Sequence, residues 1–298
     1  MVGRPPAVVV LAVLLATAGC SGLAPGSGGP PTESLTPAPV PAGSADYPPG
    51  VTAEGVVNPE RLALAHDQVL ENRSYRLRSN RSTYFIDDSV RSRIDLDLRL
   101  DRNRTYLAAV ETAGPRGPVI LGRPPARARY WANGTLYASR ITRDGEVTYS
   151  LTRADQSPFA TWQYWSGTAA FGGESNYRAS RYEAIFQAIP TRVVGNRTVD
   201  GTTVYVLEGR RPSDSGFTAG PADAVGPSGP GPALRATVTE DGLVRSLHLR
   251  YRAYHDGDEY DVDWRISYRA LGNVTVGEPP WLDRAVSADR ERRRSAIV

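Results

Sequence analysis

The sequence predicts an α+β domain built on one large antiparallel sheet, and three observations carry that expectation. Apolar residues alternate with charged ones over long stretches, five Asn-Gly or Asp-Gly dipeptides separate such stretches, and two segments break the alternation with helical spacing. A strand with one buried and one wet face has a period of two. Asn-Gly or Asp-Gly supplies the two positive-φ residues of a type I′ hairpin turn. Counting the segments between turns gives roughly ten to twelve strands, joined mainly as sequential hairpins.

The chain opens with one charge, Arg4, followed by an apolar run over residues 7–18 and then Thr17-Ala18-Gly19-Cys20. A run of this length is shorter than the roughly 20 residues that span a bilayer and has the form of an export signal ending in small residues. Cys20, the single cysteine, is therefore expected at the new N-terminus as a lipidation site, which places the mature chain on the extracytoplasmic face of the cell membrane. One cysteine also excludes an intrachain disulfide and a multi-thiolate zinc site, so the core must carry the fold. Residues 21–50 are rich in Pro, Gly, Ser and Ala and read as a disordered tether, whose roughly 30 residues have a reach of about 30 Å.

Asn58-Pro59 marks a helix start, with Asn58 as cap and Pro59 at the first helical position. Leu62, Ala65, His66, Val69 and Leu70 share one face of that helix, and His66 on the apolar stripe reads as a hydrogen-bonded core histidine. Ile94, Leu96, Leu98 and Leu100 alternate with Arg93, Asp95, Asp97, Arg99 and Asp101. Tyr260, Val262, Trp264, Ile266 and Tyr268 alternate with Asp261, Asp263, Arg265, Ser267 and Arg269. The charged sides of such strands can pair across the sheet. The turn dipeptides are Asn133-Gly134, Asp144-Gly145, Asp200-Gly201, Asp241-Gly242 and Asp256-Gly257.

Two interruptions break the meander. Residues 157–173 hold Phe159, Trp162, Tyr164, Trp165 and Phe171 and lead to a second helix, opened by a Ser180/Glu183 capping box and ended by Pro190, whose buried face is Tyr182, Ile185, Phe186 and Ile189. Residues 209–233 are rich in Gly and Pro and read as a flexible loop. At the C-terminus Trp281 is expected to close the domain. Residues 285–298, with Arg290, Arg292, Arg293 and Arg294, are expected to form a disordered basic tail. The organisation is thus a signal peptide over 1–20, a tether over 21–50, one domain over 51–284 and the tail.

Thr17-Ala18-Gly19-Cys20, the entry Tyr47-Pro48-Pro49-Gly50-Val51 before Asn58-Pro59, and the closing Pro279-Pro280-Trp281 together resemble a family of uncharacterised lipoproteins from halophilic archaea. The order of helix, meander, helical interruption and returning strands is similar to the LolA/LprG-like lipoprotein-carrier fold. That resemblance implies a strongly curved half-barrel sheet covered by two or three helices, with a cavity for acyl chains between them.

The chain carries 35 basic residues, all Arg, and 32 acidic ones, for a net charge of +3. The two signs are interleaved without a basic stripe, so nucleic acid is not an expected partner. No G-x-S-x-G elbow, phosphate loop or dinucleotide fingerprint occurs, and His66, His248 and His255 have no motif around them. An enzyme is not expected, nor is a cofactor. The acidic run Asp256, Asp258, Glu259, Asp261 and Asp263 has Gly257 second, where a calcium loop needs Gly at the sixth position, and is explained by a hairpin turn and the polar face of a strand.

Six of the eight asparagines head N-x-S/T sequons: Asn72, Asn80, Asn103, Asn133, Asn196 and Asn273. Chance would place roughly one there, so these are candidate glycosylation sites. The expected partners are the membrane, through lipidated Cys20, and a lipid or other apolar small molecule. The candidate cavity wall is Tyr260, Val262, Trp264, Ile266 and Tyr268, with Trp162 and Trp165 at its mouth, and the same residues would equally serve to pack a solid core. A glycosylated envelope module that binds protein or serves as scaffold, without a ligand cavity, is the alternative.

Overall fold

The computed structural model describes residues 47–119, 121–169, 178–211, 224–225, 231–255 and 257–295. The expected signal peptide, Cys20 and most of the expected tether lie outside the described residues. A short hairpin, β1 (Val51–Thr52) and β2 (Gly55–Val56), precedes helix α1 (Pro59–Glu71). A first meander follows: β3 (Tyr75–Tyr84), β4 (Val90–Leu100), β5 (Tyr106–Ala113), β6 (Ala126–Ala132), β7 (Leu136–Arg143) and β8 (Glu146–Arg153). Irregular turns, α2 (Trp162–Tyr164) and α3 (Arg178–Ala188) then lead to the second set, β9 (Thr191–Val199), β10 (Thr202–Arg210), β11 (Ala224–Val225), β12 (Ala233–Thr239), β13 (Val244–His255) and β14 (Asp258–Arg269). The chain ends in α4 (Leu282–Ser295).

All twelve strands from β3 to β14 join one antiparallel sheet in the order β8-β7-β6-β5-β4-β3-β14-β13-β12-β10-β9, with β11 paired to β13 off this path. The two halves of the chain meet at β3 and β14, where Tyr268 faces Leu77 and Ile266 faces Ser79. Ten inter-strand steps of about 4.8 Å would make a flat sheet about 48 Å wide. The helices on its inner side have 13 and 11 residues, or about 20 and 16 Å, yet one buried cluster runs from Tyr106 and Tyr130 to Leu207 and Leu249. The sheet achieves this by curling around the helices. It does not close into a barrel, because β8 and β9 do not pair.

Local chemistry explains the elements. The Asn58 side chain accepts the Arg61 amide at 2.9 Å and Pro59 stands at the first helical position, so α1 starts where its cap residues place it. Asp144-Gly145 and Asp200-Gly201 have positive φ at both residues, as a type I′ turn requires. Asn133-Gly134 also joins two strands but in another way: only Gly134 has positive φ, and Asn133 Oδ1 accepts the amides of Thr135 and Leu136. The β1-β2 hairpin lies close to the start of β9, with the Val56 amide donating to Thr191 Oγ1 at 3.1 Å. A Cβ on Gly55 would stand 1.9 Å from the Thr191 carbonyl oxygen, so the approach needs glycine.

The outer face of the central strands carries an ion-pair ladder. Arg76 pairs through both nitrogens with Asp97, Arg78 joins at 3.3 Å, and Arg93 meets Asp95 at 2.6 Å. Arg252 is bidentate on Asp261, while Arg265 and His248 share Asp263. Burial works to raise the Asp97 pKa, but the Arg76 hydrogen bonds and the charges of Arg76 and Arg78 outweigh it and hold the carboxyl below its ordinary value.

Four expectations need correction. Residues 47–50 are not tether: Tyr47 packs on Tyr205, and the Gly50 carbonyl accepts the amides of Val57 and Asn58. Ser180 lies inside α3 and does not cap it, because Arg178 and Ala179 already continue the helix toward the N-terminus. The loop over 209–233 begins and ends as strand, with Gly209 and Arg210 in β10 and Ala233 in β12. Apart from those ends, Arg211, β11 and residues 231–232, it lies outside the described residues.

The fourth correction is the tail, which is helix over Leu282–Ser295. Asp283 in its first turn and Arg292, Arg293 and Arg294 in its last complement the helix dipole, and Asp289 pairs with Arg293 at 2.8 Å. Trp281, Leu282 and Ala285 pack on Trp131 and Ala138, on the outer face of β6 and β7. Trp281→Ala is expected to cost about 3 kcal/mol in urea denaturation of the full chain; an unchanged midpoint would mean that α4 contributes nothing to the fold.

Candidate functional site

The inner face of the sheet is covered in two patches. Over β13 and β14, α1 and α3 pack together, and His66 is fully buried between the rings of Tyr182 at 4.4 Å and Tyr268 at 5.0 Å. Its Nδ1 accepts the Val244 amide at 3.1 Å, which ties α1 to β13 and gives His66 the core role its position on the apolar stripe implied.

Over the β5–β7 end the cover is a knot of aromatic side chains on broken helix. Residues 154–156 and 158–160 are single 3₁₀ turns, α2 is three residues long, and Trp165–Ala169 is a π-helical turn. Trp165 stacks on Tyr130 with centroids 4.6 Å apart. Its indole N–H donates to the Phe159 carbonyl at 3.0 Å and to Tyr106 Oη at 3.2 Å, and Tyr106 in turn donates to that carbonyl at 2.9 Å. Arg104 lies over the Trp162 ring at 4.9 Å. Burial pushes the Tyr130 phenol up to about 12 and raises those of Tyr106, Tyr137 and Tyr164, so these hydroxyls stay protonated at neutral pH.

The candidate wall residues lie where alternation puts them, on the inner face of β14, but their surroundings are filled. Tyr260, Val262, Trp264, Ile266 and Tyr268 are each at most 2% exposed. Tyr260 lies beneath the Arg91 guanidinium at 4.0 Å, Trp264 Nε1 donates to Ser79 Oγ at 3.3 Å, and Tyr268 packs edge-on to Tyr75. Trp165 is buried against Tyr130 of β6 and Tyr164, and Trp162 is half-buried with the Arg104 guanidinium over its ring. The six buried candidates belong to one continuous apolar cluster, and Trp162 packs against it.

Sequence reasoning missed the partners of Trp165. Tyr106, Tyr130 and Tyr137 are signalled only as inward positions of their strands, and nothing local shows that a segment after β8 returns over them. It also missed that the inner positions of β3 are mixed in character, Leu77 being followed by Ser79, Arg81 and Thr83, with Thr83 and Ser92 hydrogen-bonded at 2.7 Å.

A model described as a family of unknown function, DUF7537, matches residues 6–285. The chain belongs to that family. No curated protein matches it. Among solved structures, this DUF7537 chain is similar to the lipoprotein LppX of Mycobacterium tuberculosis, at 7% identity over 74% of this chain and 97% of that one, with a TM-score of 0.33. LprF from Mycobacterium bovis matches at 11% identity over 74% and 96% of the two chains, with a TM-score of 0.37. A LolA superfamily protein from Nitrosomonas europaea matches at 13% identity over 72% and 93%, with a TM-score of 0.27. The description of the fold rests on the strand pairing itself.

Cys20 lies outside the described residues of the DUF7537 chain. Asn72, Asn103, Asn133, Asn196 and Asn273 are exposed, four of them in turns or at an element end and Asn196 on the edge strand β9. Asn80 differs: it is half-buried in β3 and its amide donates to Asp95, so a glycan there would break the outer ladder. Among the described residues no three His, Cys, Asp or Glu side chains come together as a metal site, and no helix is long and apolar enough to cross a membrane.

Short turns with few internal hydrogen bonds open more easily than a continuous ladder. Tyr106→Phe removes one donor and one acceptor from the knot and is expected to cost about 1 kcal/mol. Amide exchange over residues 154–169 should speed up while β14 stays protected; equal acceleration in β14 would show that the cover is not a separate unit.

Proposed function

We propose that this chain is a non-enzymatic extracytoplasmic lipoprotein, held at the cell membrane by a lipid on Cys20, and that it takes up an apolar ligand in the seam between the curved sheet and its aromatic cover. The observation that carries this reading is the build of the cover. Trp165 is buried over a part of the inner face where Tyr130 is flanked by the small side chains of Ala108, Ala128 and Ala132. The backbone that holds it is broken into single turns, and Phe159 beside it is 47% exposed. An acyl chain that displaced Trp165 would find an apolar floor at little cost in regular secondary structure. The site is then a closed seam opened by its ligand, consistent with the filled inner face.

The complete burial of Tyr260 to Tyr268 favours a second reading, an envelope module whose sheet is scaffold and whose working part is the surface that carries the sequons. Native mass spectrometry of the purified chain, before and after incubation with phospholipid, separates the two. Bound lipid in the wild type, with more in Trp165→Ala, is expected; lipid-free spectra for both would leave the scaffold reading.

The anchor has its own test. A single acyl chain binds membranes only marginally, so a stable anchor needs more than one chain or a second contact. Cys20→Ser is expected to move the protein from the membrane fraction into the medium, and retention in the membrane would place the anchor elsewhere.

A further inference from the structure

Arginines stand directly opposite one another at two places on the outer face. Arg76 of β3 faces Arg99 and Arg269, and Asp97 holds it; Arg129 of β6 faces Arg140 of β7. Directly opposed side chains on antiparallel strands have Cβ atoms about 5 Å apart, and like charges there repel. Neither guanidinium is paired with an acid among the described residues. The one nearby acid on β5, Glu111, is already held by Arg127 at 3.4 Å.

Next to Arg129 on the β5 side stands Ala109, whose methyl group leaves a dip between the rows. The dip has a volume of about 260 Å³ and is lined by Ala109, Glu111, Arg127, Arg129, Arg140 and Thr142. Helix α4 adds to the positive charge at its border. Arg284 donates to Tyr149 Oη at 3.3 Å, Arg140 donates to the same hydroxyl, and Arg292 reaches the Tyr149 carbonyl at 3.3 Å. Two arginines opposed in register, with an alanine floor on the β5 side of Arg129, no acid on either among the described residues and a threonine hydroxyl alongside, form a receptor for a tetrahedral oxyanion, which can take paired N–H donors from each arginine.

We propose that this dip on the outer face binds a phosphate group, supplied as the free ion or as the headgroup of an anionic lipid. It lies on the opposite side of the sheet from the seam beneath Trp165 and does not depend on that seam holding a ligand. Bound phosphate removes the repulsion between Arg129 and Arg140, so binding stabilises the fold.

The test uses the full chain carrying Cys20→Ser, so that no acyl group adds membrane affinity. Calorimetric titration with inorganic phosphate reads the free ion. Sedimentation with vesicles of phosphatidylcholine alone, or of phosphatidylcholine mixed with phosphatidylglycerol, reads the headgroup. Phosphate is expected to bind and to raise the melting temperature. Arg129→Gln, Arg140→Gln and their combination should weaken binding, the double variant by about tenfold or more, while melting without phosphate at or above the parent temperature. Arg235→Gln, which removes an outward guanidinium from β12, serves as the charge control and should leave binding within about twofold.

Binding to the mixed vesicles that free phosphate displaces and the double variant loses identifies the headgroup as the source. Phosphate binding without vesicle retention identifies the free ion. A parent chain that binds no phosphate overturns the proposal, as does an Arg235→Gln loss equal to that of the double variant, which would reveal diffuse charge attraction.

Discussion

The structure depends on the pairing of β3 with β14. These are the first strand of the first meander and the last strand of the second, and their union makes one sheet out of two. Trp264 reaches across it to Ser79, a residue 185 positions away in sequence, and Tyr268 lies beside Leu77 in register and against the rings of Tyr75 and His66. Within each meander most strands pair with the neighbour in sequence through a short turn, whereas this seam requires closure of nearly the whole domain. With the seam formed, β8 and β9 become the two ends of the sheet, and the segment between them has to travel from one edge to the other.

That passage accounts for the cover. A chain leaving the β8 edge and entering the β9 edge must cross one face, and the inner face carries the apolar side chains that need cover. Curvature makes the crossing short enough for single turns and one helix. Among the described residues of the crossing, α3 packs on α1, and over β5–β7 there are 3₁₀, α and π turns in succession, secured by the Trp165 indole and the Phe159 carbonyl. The site proposed for an apolar ligand is thus the place where the fold closes its core with the least regular backbone.

The outer face does three different jobs along its width. In the central strands acidic and basic side chains pair, and Asp97 and Asp261 keep a soluble surface in register. At the β6–β7 end Trp131 and Ala138 are too apolar to face water, and α4 covers them. On the same two strands stand Arg129 and Arg140, neither paired with an acid among the described residues. Two arginines opposed beside a dip, with no acid on either among the described residues, point to a partner outside the chain.

The local part of this architecture was legible in the residues. Alternation placed Tyr260 to Tyr268 on one face, the turn dipeptides located hairpins, Asn58-Pro59 started α1, and the apolar stripe put His66 in the core. Each of these follows from an interaction within a few residues, such as a positive-φ turn, a cap or a period of two. The C-terminal helix was not legible, because Leu282 and Ala285 make a stripe too narrow to distinguish from a charged tail until Trp131 lies beneath it. Alternation shows that a side chain points inward, but only the three-dimensional packing shows which ring meets it, as Tyr75 meets Tyr268.

By itself the sequence determined a large antiparallel sheet with short helices, and it supplies the proposal of export and an anchor at Cys20. The tertiary structure decided that β3 joins β14, that Trp165 returns over Tyr130, and that Arg129 faces Arg140 beside an alanine floor. The difference is physical. Hydrophobic period and turn geometry are written in neighbouring residues, whereas these juxtapositions arise from register across strands distant in sequence and from the curvature that lets a short segment cover a wide sheet.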